Sequence, residues 1–395
     1  MTQASRLESN TDAPQKLLVA MELSRDTWKL GFTLDGQRVR IRDVRARDQE
    51  GLLAEVQATK QRLGLAPDAH VMSCYEAGRD GFWIHRFLKA NGITNLVVDP
   101  ASIEVDRRKR RAKTDRIDVQ KLARLLARHE REGGVLRVVR VPPLEAEEER
   151  LLPRQLHSLK RTRVRIGNQI RAALFQHGVD LDPRAGSLKR QDFLKRLGEA
   201  RQWDGSALPA ELVASVRMLW DQFVLVSRQI KDLEQRQRKL LRDARDEEAR
   251  SSTHRKAALL TSLKGIGDVG GMTLATEFFG WREFNNRREL GALAGLVGTP
   301  HQSGLTGREQ GISKAGNPRV RHLMVELAWL WLRWQPDSRT TRWFHEHVGK
   351  AGSRGKRKAI VAVARKLLVE LWHFVEHGVI PEGAVLKAEA NRCAA

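Results

Sequence analysis

Four carboxylates stand where a divalent metal ion could be held: Glu22, Glu76, Asp115 and Asp118. Asp115 and Asp118 are spaced i,i+3, so on a helix both side chains share a face. Glu22 falls near the end of one apolar, strand-like run, and Glu76 directly follows another. If those strands are neighbours in a sheet, their C-terminal ends and the start of the helix can converge. Carboxylates gathered at one point repel unless a cation joins them. A set of hard oxygen ligands favours Mg²⁺ or Mn²⁺, and such ions activate a nucleophile and stabilise a leaving oxygen in phosphoryl transfer. A plainer role also fits: Glu22 capping a strand, Glu76 opening a turn, and the aspartates forming the acidic first turn of a helix.

The neighbourhood favours a phosphodiester substrate. Residues 107–116 (RRKRRAKTDR) hold Arg107, Arg108, Lys109, Arg110, Arg111, Lys113 and Arg116 against one acid, Asp115. Cations beside a metal-binding cluster suit a nucleic-acid backbone; a solvated basic loop is the alternative. Two further segments carry possible chemistry. Leu263-Lys264-Gly265-Ile266-Gly267 reads as a glycine turn between two helices, where Lys264, Gly265 and Gly267 could meet a phosphate; a simple helix–helix turn explains it as well. Residues 295–316 contain six glycines together with Thr299, His301, Ser303, Thr306, Arg308, Ser313 and Lys314. Ser303 could act as a nucleophile, with Arg308, Lys314, Arg319 and Arg321 neutralising a phosphate. Taken alone, these residues read as a surface loop whose serines cap turns.

Hydropathy patterning supplies the elements that must position these groups. Residues 16–24, 28–34 and 38–44 read as strands, with Asp35-Gly36 marking a turn. A helix over 49–63, a strand over 70–75, a helix over 80–91, a strand over 95–99 and a helix over 114–128 follow. In the last of these, Ile117, Leu122, Leu125 and Leu126 supply the apolar spacing. The order β-β-β-α-β-α-β-α predicts a mixed sheet covered by helices. Residues 129–150 read as a linker, and 178–210 as an irregular connection. A heptad seam runs through Leu212, Val216, Leu219, Phe223, Val226, Ile230, Leu233, Gln237 and Leu240. An intermolecular coiled coil is favoured over a helical hairpin within one chain. Residues 255–378 form a last compact, mainly helical unit, with helices over 318–334 and 356–377. The expected division is a tail at 1–15, a sheet domain at 16–145, a helical region at 146–250, a C-terminal domain at 251–380 and a tail at 381–395.

Composition sets the class. Among 395 residues, 71 are Lys or Arg and 48 Asp or Glu, a formal charge of +23, which points to a polyanionic partner. A 41% hydrophobic fraction excludes wholesale disorder. No run approaches the roughly 20 apolar residues of a membrane span, and residues 1–15 lack the apolar core of a signal peptide. Two cysteines, Cys74 and Cys393, exclude a disulfide framework and fit a reducing cytoplasm.

Five strings, taken in order, resemble one family. They are Met21-Glu22-Leu23-Ser24-Arg25-Asp26-Thr27-Trp28, Tyr75-Glu76-Ala77-Gly78, Lys113-Thr114-Asp115-Arg116-Ile117-Asp118, Gly265-Ile266-Gly267, and Gly295-Leu296 through Ser303-Gly304 to Ile312-Ser313-Lys314-Ala315-Gly316-Asn317. The chain resembles the DEDD transposases of the insertion-sequence 110 family, relatives of the Piv DNA invertases, over about 16–380. The resemblance implies a RuvC-like, RNase H-type domain, a coiled-coil middle and a C-terminal transposase domain. It implies Mg²⁺ at the four acidic positions, Ser303 as the DNA-attacking nucleophile, a structured bridge RNA as guide, and multimers that share sites between subunits. One departure stands out: the family usually has Asp at the first acidic position, and Glu22 is longer by a methylene. The expected function is therefore an RNA-guided, Mg²⁺-dependent DNA recombinase of the bacterial cytoplasm, associated with the nucleoid. Its rivals are a metal-dependent endonuclease or junction resolvase that uses water, and a non-catalytic nucleic-acid-binding protein.

Overall fold

The computed structural model describes residues 16–103, 114–183, 190–245, 251–303, 306–348 and 352–387; at 190–191, 300–303, 306–310 and 353–354 it describes the backbone alone. The chain divides into two compact units at Val141/Pro142. Arg107, Arg108, Lys109, Arg110, Arg111 and Lys113, with residues 1–15 and Cys393, lie outside the described residues.

In the first unit, β1 (Leu17–Leu23), β2 (Thr27–Thr33), β3 (Arg40–Arg45), β4 (Val71–Glu76) and β5 (Thr94–Val98) form one sheet of order β3-β2-β1-β4-β5. β1, β4 and β5 are parallel, while β2 and β3 are antiparallel additions, so the expected mixed sheet is present. Successive strand residues face opposite sides, and each side has its own core. Leu17, Val19, Met21, Val71 and Tyr75 pack on the face that also buries Leu52 and Val56 of α1 (Gln49–Arg62) and Ile84 and Leu88 of α2 (Trp83–Ala90). Leu18, Ala20 and Cys74 pack on the other face against Val119, Leu122, Ala123 and Leu126 of α3 (Asp115–Glu132). Burial pushes the Cys74 thiol up, so it stays neutral.

Two expectations change here. Ile117 is 45% exposed, and Val119 takes the core position the apolar spacing had given it. The supposed linker is partly sheet edge: Val138 bridges Val98, and Val139 N donates to Val97 O at 2.7 Å. Its acidic stretch is a helix, α4 (Leu144–Glu149).

The second unit begins with α4, α5 (Leu151–Phe175), α6 (Arg190–Glu199) and α7 (Ala210–Arg245). The 178–210 connection thus contains a helix that sequence reading missed, and Phe193 of that helix stacks on Trp220 with centroids 4.0 Å apart. The heptad expectation also needs correction. α5 and α7 pack as a helical hairpin, with Leu156, Ile166, Ile170 and Leu174 facing Val216, Trp220, Phe223, Val226 and Ile230. The ion pair Lys160–Glu234, at 2.7 Å, fixes that antiparallel register. The buried stripe uses Trp220 and Leu241, whereas Leu219 and Leu240 are only half-buried. The apolar seam is thus covered within the chain.

The remainder is α8 (Ser252–Ser262), α9 (Asp268–Leu274) running into a π-helical turn at Ala275–Phe279, α10 (Arg287–Ala294), β6 (Gly298–Ser303), β7 (Thr306–Ile312), α11 (Pro318–Trp334), α12 (Arg339–Val348) and α13 (Ser353–His377). They close on one apolar core that includes Phe278, Phe279, Met324, Trp331, Leu367 and Leu371. Residues 381–387 do not fray as a tail: Leu386 bridges Leu263, and Lys264 N donates to Val385 O.

Candidate functional site

Strand register places two of the four acids side by side. Met21 of β1 lies opposite Tyr75 of β4, so Glu22 and Glu76 are the next residues of adjacent parallel strands. By alternation both belong to the face covered by α3, with Ala20 and Cys74 one step inside them. The course of α3 brings the other two acids to the same end. Lys16, just before β1, pairs with Glu130 near the end of the helix at 2.6 Å. A Cβ on Gly31, whose partner is Ala20, would come within 3.2 Å of Val119 Cγ2. The helix therefore runs antiparallel to β1, and its first turn, with Asp115 and Asp118, lies toward the Glu22 end. Thr114 caps that turn, its hydroxyl accepting from Ile117 N. Gly31 is what permits such a close approach of helix to sheet.

Glu22 and Asp118 are half-buried, and Glu76 and Asp115 exposed. The donor set is entirely oxygen, which suits Mg²⁺ or Mn²⁺. By residue type and placement these residues fit such an ion. Closing them on it requires side-chain movement, because among the described residues no three His, Cys, Asp or Glu stand close enough to share one.

The glycine-rich segment of the second unit is a β-hairpin rather than a loop. β6 and β7 pair antiparallel, with Ser303 opposite Thr306 at the tip and His301 opposite Arg308. Its base is tightly fixed. Gly295 ends α10 in the left-handed conformation (φ 70°), and a Cβ there would meet Ala315 O at 2.0 Å. Gly316 (φ 83°) is equally close to Leu293 O. Ser313 N donates to Val297 O and Asn317 N to Leu293 O, both at 2.8 Å. Lys314 is itself left-handed (φ 56°), and Arg321 Nη1 donates to its carbonyl at 2.7 Å. Arg321 therefore braces the base of the hairpin, in addition to any phosphate contact.

Glu277 escaped sequence reading. It is 2% exposed in the π-helical turn, where Arg154 of α5 grips it with two bonds of 2.6 and 2.9 Å. Asn317 Nδ2 adds a bond of 3.3 Å, and Arg319 Nε lies 3.8 Å away. Burial pushes the Glu277 carboxyl up, but the Arg154 guanidinium, helped by Asn317 and Arg150, outweighs this and holds it below the ordinary glutamate range. Asn317 also caps α11, accepting from Arg319 N and Val320 N. Glu277 thus ties α5, the π-turn and the chain leaving the hairpin into one joint. A single acid inside the apolar run Ala275-Thr276-Glu277-Phe278-Phe279 was the available signal, since a buried charge needs a partner.

The Lys264–Gly267 turn joins α8 to α9. Gly265 (φ 93°) packs against α11, where an added Cβ would lie 3.2 Å from Trp334 Cβ; Gly267 faces open space. Lys264 sits over the Trp334 ring at 5.8 Å. Gln335 Nε2 donates to Lys264 O, and Lys387 Nζ donates to Thr261 O and Ile266 O, so the C-terminal segment stitches the turn.

Comparison with known proteins agrees with the motifs. The profile of the DEDD transposases of IS110 type matches residues 31–178, and that of the Transposase IS116/IS110/IS902 family matches 257–343. The chain is 41% identical over 380 residues to y4rJ of Sinorhizobium fredii (strain NBRC 101917 / NGR234), a protein that carries the transposase name, with 94% of each chain covered. It is 27% identical over 232 residues to the transposase for insertion sequence element IS1328 of Yersinia enterocolitica, covering 58% of this chain and 63% of that one. It is 24% identical over 297 residues to the transposase for insertion sequence element IS1111A of Coxiella burnetii (strain RSA 493 / Nine Mile phase I), covering 75% and 74%. Among the described residues no helix is long and apolar enough to cross a membrane. Likeness along nearly the whole length, carried by both the acidic sheet unit and the serine-hairpin unit, makes this chain a member of the IS110 family of transposases.

Proposed function

We propose that this transposase cuts and rejoins DNA by Mg²⁺-dependent phosphoryl transfer with Ser303 as nucleophile, directed by a structured RNA of its own element and acting as a multimer. The observation that carries the reading is the placement of Glu22 and Glu76 on neighbouring strand ends beneath the acidic first turn of α3. Glu22, Glu76, Asp115 and Asp118 would hold the ion, which when bound supplies charge neutralisation at the scissile phosphate. The longer Glu22 is compatible with that role, because Mg²⁺ keeps several waters and tolerates water-mediated ligation.

The chain's own residues would do the rest. The Ser303 hydroxyl gives up its proton, its oxygen bonds to phosphorus, and one bridging P–O bond breaks. The departing deoxyribose oxygen takes a proton, and the phosphoserine linkage keeps the bond energy for rejoining. Arg308 and Lys314 would bind non-bridging oxygens, while Arg319 and Arg321 hold the hairpin base and add positive potential. Lys264, Gly265 and Gly267, and the run Arg107, Arg108, Lys109, Arg110, Arg111 and Lys113, would neutralise backbone phosphates. The RNA guide, the multimer and a cytoplasmic, nucleoid-associated location rest on the family resemblance and the +23 charge.

Covalent trapping tests the reaction class. Denaturing the protein during reaction with end-labelled DNA and Mg²⁺ should leave label on a peptide containing Ser303, and Ser303→Ala should bind without forming the adduct. Mixing Ser303→Ala with Asp118→Ala should partly restore the adduct if subunits share sites. If the wild type cuts without trapping label and Ser303→Ala cuts equally well, water is the nucleophile and the resolvase reading replaces this one.

A further inference from the structure

The last turns of α7 carry a feature that the proposed chemistry does not use. Arg236, Arg238, Lys239, Arg242 and Arg245 line one groove of about 790 Å³ between α7 and the start of α9, together with Asp232 and Asp268. All five cations are exposed. None is paired with a carboxylate among the described residues, although Lys160 and Arg171 of the same helical hairpin each have one. Arg238 and Arg242 are i,i+4 neighbours and Arg242 and Arg245 i,i+3, spacings at which like charges repel. Arg245 Nη2 donates to Thr261 Oγ1 at 3.1 Å, which holds one guanidinium against the wall. Nearby, burial pushes the Lys387 ammonium below the ordinary lysine range; Asp268 opposes that shift, and Arg245 adds to it more weakly. Five cations held together against two carboxylates match a polyanion.

We infer that this groove binds the sugar–phosphate backbone of a nucleic-acid double helix. The lining residues include no aromatic ring, the main stacking platform for unpaired bases. Arg238 to Arg245 spans about 10 Å of helix axis, about three steps of one strand at 3.4 Å each. Contacts of this kind position a duplex without reading its sequence. The inference rests on the chain acting on nucleic acid, but not on Ser303 or the metal, and its test measures binding alone.

Full-length protein is titrated with a DNA duplex and an RNA duplex of about 20 base pairs and arbitrary sequence, over a range of salt. The variant Arg238→Gln/Lys239→Gln/Arg242→Gln is compared with Arg217→Gln/Arg228→Gln/Lys231→Gln, which removes the same charge from exposed positions of α7 outside the groove. The groove variant should bind at least about tenfold more weakly at low salt, with a log K–log salt slope shallower by about 2, whereas the control stays near wild type. Loss confined to the DNA arm makes the ligand DNA; loss in the RNA arm makes it the RNA. Asp232→Asn, which adds no bulk, should tighten binding and keeps the test decisive should the triple variant misfold. Equal binding and equal slopes for the two triple variants, or an Asp232→Asn without effect, would overturn the inference.

Discussion

Single residues divide into those that would touch phosphate and those that hold them in place. Asp118→Ala removes one of the four proposed oxygen donors while leaving the basic surfaces intact, so cleavage should be lost and duplex binding kept within a few-fold. Wild-type cutting by that variant would take Asp118 out of the site. Glu277 and Glu370 are opposite cases of a buried carboxyl. The folded Glu277 carboxyl titrates below its ordinary value of 4.5, so it stabilises the fold above that pH and the stability is lost as pH falls through the folded value. Glu277→Gln should cost about 1–3 kcal/mol at pH 7 and flatten the acid limb of a urea-midpoint profile. Glu370 is raised by burial, with one oxygen accepting from Thr340 Oγ1 at 2.6 Å and the other without a partner among the described residues. Its folded value lies above its unfolded one, so its ionised form opposes folding at neutral pH and the penalty fades on acidification. Glu370→Gln should therefore melt higher than wild type at pH 7, with the gap narrowing toward pH 4. Glu22, Glu76, Asp115 and Asp118 could be named from residue type and spacing. Glu277 could not, because its partners Arg154 and Asn317 are remote in sequence and only folding brings them together.

At the scale of elements, the serine hairpin depends on two glycines. Gly295→Ala and Gly316→Ala each place a methyl 2.0 Å from a carbonyl oxygen at a left-handed backbone. Either should destabilise the second unit by about 2 kcal/mol or more, read as an earlier urea transition, and should reduce adduct formation. Gly31→Ala is subtler. Its methyl meets Val119 at 3.2 Å, so α3 must shift by tenths of an ångström over the strand ends. Activity should fall more than stability does, which paired melting and cleavage assays would resolve. The heptad pattern illustrates what periodicity leaves open. It locates a helix with an apolar stripe, but not the partner that covers it. In this chain Trp220, one residue from the expected Leu219, turns the stripe toward α5 and stacks on Phe193 of a helix the pattern missed.

For the whole molecule, the +23 charge dominates the encounter with its substrate. Binding to duplex should weaken steeply with salt, on the order of a hundredfold or more between low and physiological ionic strength if several phosphates are neutralised. Neutralising Arg107, Arg108, Lys109, Arg110 and Arg111 together should flatten that slope; an unchanged slope would make the run a solvated loop.

The sequence by itself determined the strand and helix order of the first unit and the family, and it offered the four acids and the serine as candidates. Those depend on local periodicity, turn chemistry and short motifs, which neighbouring residues carry. Tertiary structure decided the rest. It chose which strands are adjacent, so that Glu22 and Glu76 stand side by side. It turned a glycine-rich stretch into a hairpin whose base is locked by Gly295 and Gly316. It paired Arg154 with Glu277 across 123 residues and gathered five cations of α7 into one groove. The physical reason is common to all four: the free energy of a buried charge, a close backbone contact or a shared groove depends on distances between segments far apart in the chain, which no local pattern encodes.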